Sequence, residues 1–165
     1  MPYLHDLSPP APHDSGESKL LADVQEYGWH VLGVSPDPGE TGPPFAYSIG
    51  LYYTLGHPEI VVTGLAPEVS QRLINVVGER SRSETPVLPG RRYADIAEGY
   101  DVAFRTVPRA LYEDYLGYAL WFYRQLAGDF PVFQLIWPDK AGRFPEEIGF
   151  EPTLQAWQFL LGGVA

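Results

Sequence analysis

Glycine and proline clusters divide residues 29–65 into three short runs rich in β-branched and aromatic residues. These runs are WHVLGV (29–34), FAYSIGL (45–51) and EIVVTGL (59–65). Runs of this length and composition predict strands. The link SPDPGETGPP between the first two is a turn-rich loop, because its residues favour turns over regular structure. The link YYTLGHP before the third run is short, and it predicts a hairpin-like, antiparallel pairing of the second and third strands.

Apolar residues recur at helical spacing in four other parts of the chain. The first predicted helix begins at Ser15 or Ser18 and ends before Gly28. The others cover residues 67–80, 109–126 and 154–161. The helix over 109–126 is expected to be the longest.

Two further strands are predicted, over residues 101–107 and 131–137. Residues 81–100 read as irregular, because they contain the breakers Pro86, Pro89, Gly90 and Gly99. Because helices and strands do not alternate regularly, we predict an α+β fold. It has a mainly antiparallel sheet of about five strands with three to four helices packed on it. We expect residues 1–17 to be a flexible tail and 18–165 a single domain.

The charge balance and the absence of cysteine narrow the function. The chain has 165 residues and a net charge of −10. This charge disfavours binding to nucleic-acid phosphates and to anionic membranes. The absence of cysteine excludes disulfides, thiolate nucleophiles and cysteine-based metal sites. No apolar run approaches the ~20 residues of a membrane span, and residues 1–17 lack the pattern of a signal peptide. A soluble, cytoplasmic protein is expected.

Four polar residues of the three-strand block are candidates for catalysis. His57 and Glu59 are two residues apart, so in an extended segment both face the same side. If the first and third strands lie close together, His30 joins them in a two-histidine, one-carboxylate metal site or an acid–base centre. Tyr47 is the fourth candidate. The alternative, histidines that only fasten strands through hydrogen bonds, stays open at this point.

A second set of residues is expected to bind a ligand through an aromatic cleft. Arg91 and Arg92 form a basic pair beside an aromatic residue, which suits a carboxylate or a phosphate, and a solvated loop is the alternative. Aromatic residues cover several faces of the helix over 109–126, so some are free to line a cleft. A carboxylate follows the last strand, where sites are often built on loops. The candidates are Trp29, Tyr47, Ser48, Arg91, Arg92, Tyr118, Trp137 and Asp139.

Motifs of the common enzyme classes are missing from the sequence. It contains neither GxSxG nor a phosphate-binding GxxxxGK[ST] or GxGxxG loop. A serine hydrolase, a P-loop nucleotidase and a Rossmann dehydrogenase are therefore disfavoured. A flavin in another fold is not excluded, so no cofactor is assigned.

Several short motifs together resemble one family. They are Gly28-Trp29-His30, Phe45-Ala46-Tyr47-Ser48-Ile49-Gly50-Leu51, His57-Pro58-Glu59 with the following Gly64, Leu65 and Pro67, Gly90-Arg91-Arg92-Tyr93, Gly117-Tyr118-Ala119-Leu120, and Trp137-Pro138-Asp139 with Gly142 and Pro145. Over residues 20–150 the chain is similar to the bacterial domain of unknown function 4262 family, which is common in actinobacteria. The resemblance implies a family but no activity, cofactor or partner.

Three functional hypotheses follow. The favoured one is an accessory protein that binds a small molecule or a protein partner through an aromatic cleft. The first alternative is an enzyme whose centre uses His30, His57, Glu59 and Tyr47. The second alternative is an immunity-type protein whose negative charge neutralises a basic toxin.

Overall fold

The computed structural model describes residues 1–162, and its framework is one six-stranded sheet. The strands are β1 His30–Val34, β2 Phe45–Ile49, β3 Glu59–Thr63, β4 Arg92–Ala97, β5 Tyr100–Thr106 and β6 Val132–Ile136. Their order across the sheet is β1-β2-β3-β6-β5-β4. All neighbouring pairs are antiparallel except β3 and β6, which run parallel. The fold is therefore α+β with a mixed, mostly antiparallel sheet.

The described residues also form six α-helices and one 3₁₀ turn, Arg109–Leu111. The helices are α1 Ser15–Tyr27, α2 Leu51–Leu55, α3 Pro67–Arg82, α4 Tyr112–Tyr115, α5 Gly117–Phe122 and α6 Pro152–Trp157. Asp14 caps α1, since its side chain accepts a hydrogen bond from the backbone N–H of Glu17. Gly28 ends α1 in the left-handed conformation and turns the chain directly into β1.

Two apolar layers cover the two faces of the sheet. On one face, Ile60 and Val62 of β3 pack beneath α3 residues such as Ile74 and Val77. On the other face, alternate residues of β2 and β3 pack against α1, α4 and α5. α1 and α3 therefore lie on opposite faces of the sheet. Gly33 lies beside Pro67 and Trp29 beside Gly78, so α3 runs alongside β1 in the opposite direction.

The sheet has one strand more than predicted. β4 lies within residues 81–100, which were expected to be irregular. Gly90 and Gly99 stand at its two ends, so these glycines mark turns that flank a strand. A register shift between Tyr93 and Ala97 interrupts its pairing with β5. Burial along β4 does not alternate either, since Ala94 and Asp95 are both exposed and Ile96 and Ala97 are both buried, so periodicity did not indicate the strand.

The helices also differ from the prediction of three to four. The expected long helix over 109–126 is divided into the 3₁₀ turn, α4 and α5, because Leu116 has non-helical dihedral angles (φ −118°, ψ 43°) and Gly117 follows it. The longest helix is α3, with 16 residues. α2 forms within the link between β2 and β3, which was expected to be a simple turn. The antiparallel pairing of these two strands is confirmed.

The N-terminal segment lies against α2 and the adjoining layer. The backbone N–H groups of Tyr3 and Leu4 donate to the carbonyls of Thr54 and Tyr53 at 3.0 and 2.9 Å. Leu7 packs against the same apolar layer as α1. The flexibility expected of residues 1–17 stays a prediction. Within residues 1–162, no helix is both long and apolar enough to cross a membrane.

Candidate functional site

Glu59 is buried at the first turn of α2. Gly50 bends the chain from β2 into this helix with φ 115° and has no side chain to cap it. The Glu59 carboxylate takes that role: it accepts hydrogen bonds from the backbone N–H groups of Gly50, Leu51 and Tyr52 at 2.8, 3.2 and 3.3 Å. These groups have no partner within the helix, and they form its positive end. The carboxylate is therefore a helix cap supplied by a neighbouring strand.

Two hydroxyl groups complete the surroundings of Glu59. Ser48 Oγ donates to it at 2.6 Å, and the Tyr123 hydroxyl also donates to it. Burial raises the pKa of the Glu59 carboxyl, and the hydrogen bonds from Ser48 and Tyr123 oppose that rise. Burial and the neighbouring carboxylate raise the pKa of Tyr123. Glu59 is 1% exposed and five donors surround it, so its contacts are those of a structural group.

His57 is also held on both ring nitrogens. Its Nδ1–H donates to the carbonyl of Pro58 at 2.8 Å, and the backbone N–H of Val87 donates to Nε2 at 3.4 Å. The imidazole is therefore neutral, with the proton on Nδ1. Burial lowers its pKa because the charged form would lose hydration.

The remaining residues predicted for catalysis or ligand binding lie in separate parts of the molecule. The Tyr47 hydroxyl is buried and accepts the Tyr118 backbone N–H at 3.1 Å, at the start of α5. Burial raises the pKa of Tyr47 to about 12. The Trp137 indole donates to the carbonyl of Thr63 at 2.9 Å. Asp139 accepts hydrogen bonds from Ala141, Arg143 and Glu151, which fix the loop after β6.

The basic pair lies at the opposite edge of the sheet from β1. Arg91 is exposed just before β4. Arg92 pairs with Glu147 at 2.8 Å, and its guanidinium lies 4.2 Å from the centre of the Phe144 ring. The charge of Arg92 is therefore already matched by a carboxylate of the C-terminal loop.

The three residues proposed as metal ligands are not brought together. β2 lies between β1 and β3, so His30 is separated from His57 and Glu59. In the part of the chain that the structure describes, no three histidine, aspartate or glutamate residues are grouped to hold a metal ion. Of the four catalytic candidates, Tyr47, His57 and Glu59 are buried, whereas His30 lines a groove.

A groove of about 550 Å³ runs along the open edge of β1. One wall is α1, the other is α3, and the beginning of β1 is the floor. The lining residues of α1 are Lys19, Asp23, Glu26 and Tyr27. Those of α3 are Gln71, Asn75, Glu79 and Arg82. Because these positions repeat every three or four residues, each helix turns one continuous polar face into the groove.

Asp23 and His30 meet across the α1 side of this groove. His30 Nδ1 lies 2.7 Å from Asp23 Oδ2, and the two side chains are 13% and 18% exposed. Lys19 lies one turn earlier and approaches both Asp23 oxygens at 3.2 Å. Burial raises the pKa of Asp23, but the hydrogen bonds from His30 and Lys19 outweigh it, so the net pKa is lowered. The carboxylate is thus ionised and orients the imidazole ring.

Trp29 and Arg82 also line the groove and contact each other. The Trp29 indole N–H donates to Asn75 Oδ1 at 2.9 Å, and the ring lies directly over Gly78 of α3. Arg82 extends over the same ring, with its guanidinium carbon 4.9 Å from the ring centre. It also donates to the carbonyl of Tyr27 at 2.5 Å. Arg82 therefore joins the C-terminal ends of α1 and α3.

The charges of the groove are unevenly matched. Its lining contains three carboxylates, Asp23, Glu26 and Glu79, and two cations, Lys19 and Arg82. Each cation already contacts a carboxylate of the groove, with Arg82 Nε 3.9 Å from Glu79. The Asn75 amide is oriented as well, because its oxygen accepts from the indole and leaves its NH₂ group as a donor. This arrangement favours a neutral or cationic polar group over an anion.

Sequence reasoning identified Trp29 and His30 in the groove and missed Asp23, Asn75 and Arg82. Asp23 lies seven residues before His30, and only the tight turn at Gly28 brings α1 back beside β1. The polar stripe at positions 71, 75, 79 and 82 is readable from the sequence as one face of α3. Without the position of β1, that stripe is indistinguishable from an ordinary solvated helix face.

Comparisons with known proteins identify a family and nothing more specific. Neither the curated proteins nor the solved structures include a match to this chain. A family model described as a domain of unknown function (DUF4262) matches residues 23–151, which include the whole sheet and the dyad of Asp23 and His30. The chain therefore belongs to the DUF4262 family.

Proposed function

We propose that the protein binds a small polar ligand, neutral or positively charged, in the groove between α1, β1 and α3. The observation that carries this proposal is the oriented pair of Asp23 and His30 in the wall of a 550 Å³ groove. Small-molecule sites are typically concavities of this size with a few precisely placed polar groups.

The preference for ligand charge follows from the lining. Lys19 and Arg82 already contact carboxylates or a carbonyl, so an anionic ligand would have to displace them. Glu26 and Glu79 add negative charge to the lining. A ligand with N–H or O–H donors finds acceptors on His30 and on these carboxylates, while the Asn75 amide supplies a donor.

A screen of small molecules tests the proposal. The probes are neutral amides and polyols, primary amines and carboxylates of similar size, followed through the backbone amide resonances of the protein. We expect neutral or amine probes to shift the resonances of Asp23, His30 and Asn75, with carboxylates inactive. Shifts confined to other regions, or a preference for carboxylates, would contradict the proposal.

Two neighbouring substitutions on α3 form a matched pair for the binding probes. Gln71 lines the groove, whereas Arg72 is the next residue and lies outside it. Gln71→Trp should obstruct the groove and weaken binding about tenfold or more. Arg72→Trp should leave the affinity unchanged. Equal effects of the two substitutions would place the bound probe elsewhere.

The other hypotheses are less supported by the groove. The proposed enzyme centre of four residues reduces to His30, because the polar atoms of His57, Glu59 and Tyr47 are engaged in internal hydrogen bonds. The immunity-type function rests on the net charge of −10 alone and stays a prediction.

A further inference from the structure

His30 and His57 differ in the hydrogen bonding of one ring nitrogen, Nε2. Both have Nδ1 beside an oxygen acceptor, at 2.7 Å from Asp23 and 2.8 Å from Pro58. Nε2 of His57 is occupied by the N–H of Val87. For Nε2 of His30, the described residues supply no hydrogen-bond partner, and His30 is one of the residues that line the groove. With the Nδ1 proton donated to Asp23, a neutral His30 ring has its lone pair on Nε2.

We propose that His30 is a general acid–base residue, with Asp23 as the residue that positions it. The ligand is then a substrate that carries an O–H or N–H group within reach of Nε2. This inference rests on the proposed binding function, and it adds a chemical step to it. Carboxylate–histidine pairs of this kind fix the tautomer and stabilise the imidazolium when a proton arrives.

The step is a proton transfer without oxidation or reduction. The O–H or N–H bond of the substrate breaks and an Nε2–H bond forms, so His30 becomes an imidazolium. Its positive charge lies beside the ionised Asp23 carboxylate, 2.7 Å from Nδ1. The proton then returns to a different atom of the same substrate. The reaction class is a proton shift within a neutral or cationic polar molecule.

The competing explanation is that Asp23 and His30 only fasten α1 to β1. In that case Nε2 would have no special reactivity. The two explanations differ in the nucleophilicity of Nε2, which is measurable without any substrate. Diethyl pyrocarbonate is a suitable probe: Nε2 attacks its carbonyl carbon, monoethyl carbonate leaves, and the ring loses its Nδ1 proton.

The chain contains its own reference histidines for this experiment. The side chains of His5 and His13 are 55% and 71% exposed and stand for freely accessible imidazole. His57 is 3% exposed and has both nitrogens engaged, so it stands for a protected one. Rates of modification at all four positions are obtained from one time course by peptide mass spectrometry.

We expect His30 to react at least as fast as His5 and His13 despite its low exposure. Asp23→Asn should reduce the His30 rate about tenfold or more, because the positioning carboxylate is lost. The rates of His5 and His13 should not change. Glu68→Gln is the matched control: it removes an exposed carboxylate outside the groove and should leave the His30 rate within about twofold.

Two results would overturn the inference. One is a His30 rate as low as that of His57 in the unaltered protein. The other is an Asp23→Asn rate at His30 equal to that of the unaltered protein. If Asp23→Asn loosens the fold, His57 becomes reactive too. The deciding measurement is then the ¹⁵N chemical shifts of the two His30 ring nitrogens in the unaltered protein. An Nε2–H tautomer there would also overturn it. None of these measurements uses a ligand, so they are independent of the binding screen.

Discussion

At the scale of single residues, Glu59 is a buried carboxylate that requires several hydrogen-bond donors around it. A carboxylate with 1% exposure is unfavourable unless donors replace its lost water. Three backbone N–H groups, those of Gly50 and of the first two residues of α2, and two hydroxyl groups provide this replacement. The side chain thereby ties β3 to the start of α2 and, through Tyr123, to the chain that follows α5.

Replacing Glu59 by glutamine should destabilise the protein by about 2–3 kcal/mol. Donors approach both carboxylate oxygens, so either orientation of the amide points its NH₂ group at another N–H or O–H. The free energy of unfolding, measured by urea titration, checks this expectation.

Glu68→Gln is the control for that substitution. Glu68 also lies in the first turn of a helix, α3, but it is exposed. We expect a change within about 0.5 kcal/mol. Similar effects at positions 59 and 68 would mean that the buried carboxylate is not essential to the cap.

At the scale of elements, α3 and β1 are held together by the contact between Gly78 and Trp29. A Cβ atom on Gly78 would lie 2.5 Å from the Trp29 ring. Gly78→Ala should therefore destabilise the protein by about 1–3 kcal/mol through overpacking. Helix propensity alone predicts the opposite sign, a gain of about 1 kcal/mol. The midpoint of denaturant unfolding distinguishes these two outcomes.

Gly117→Ala is the control for Gly78→Ala, because both glycines lie in helices. Gly117 is the first residue of α5, and a Cβ atom there meets nothing within 4 Å. This substitution should be neutral or stabilise by up to about 1 kcal/mol. Stabilisation by both alanines would show that the Trp29 ring moves aside without cost.

The elements with strong local signals were predictable. The runs around β1, β2, β3, β5 and β6 combine β-branched residues with Gly/Pro boundaries, and their strands are confirmed. β4 was not predictable, because its exposed and buried residues do not alternate and its pairing with β5 is interrupted. The division at Leu116 comes from its non-helical dihedral angles before Gly117, a local departure that the apolar periodicity of residues 109–126 does not contain.

The candidate site was only partly predictable for a related reason. From the sequence alone, His30, His57 and Glu59 are equally plausible members of one site. The sheet order, with β2 inserted between β1 and β3, separates them. Which histidine keeps a free nitrogen depends on Val87, thirty residues away from His57 along the chain. Such distant contacts leave no periodic trace in the sequence.

At the scale of the whole molecule, buried tyrosines make the stability of the fold decrease at alkaline pH. Burial raises the pKa of both Tyr47 and Tyr112 from 10.0 to about 12. Because the folded-state pKa is the higher one, the stabilisation by the neutral phenols is complete below pH 10 and is lost as the pH rises through 12. We expect part of the phenolate absorbance to appear only together with unfolding.

Parallel titrations by near-ultraviolet absorbance and far-ultraviolet circular dichroism check this expectation. The urea-unfolded chain is the reference, in which all 11 tyrosines ionise near their ordinary pKa. Tyr47→Phe and Tyr112→Phe should each reduce the late absorbance change. Complete ionisation of a chain that keeps its circular dichroism would contradict the coupling.

β3 and β6 join two three-stranded halves of the sheet, and the paired residues Glu59 and Val132 are far apart in the chain. During synthesis, β1, β2 and β3 leave the ribosome long before their neighbour β6 exists. Until then β3 exposes an unpaired edge with apolar side chains such as Ile60 and Val62. The entropic cost of closing a loop grows only slowly with loop length. The long stretch of chain between β3 and β6 therefore costs the folded protein little stability. The separation of β3 and β6 along the chain does place the docking of the two halves of the sheet late in folding. Until β6 has been synthesised, the nascent chain is open to aggregation.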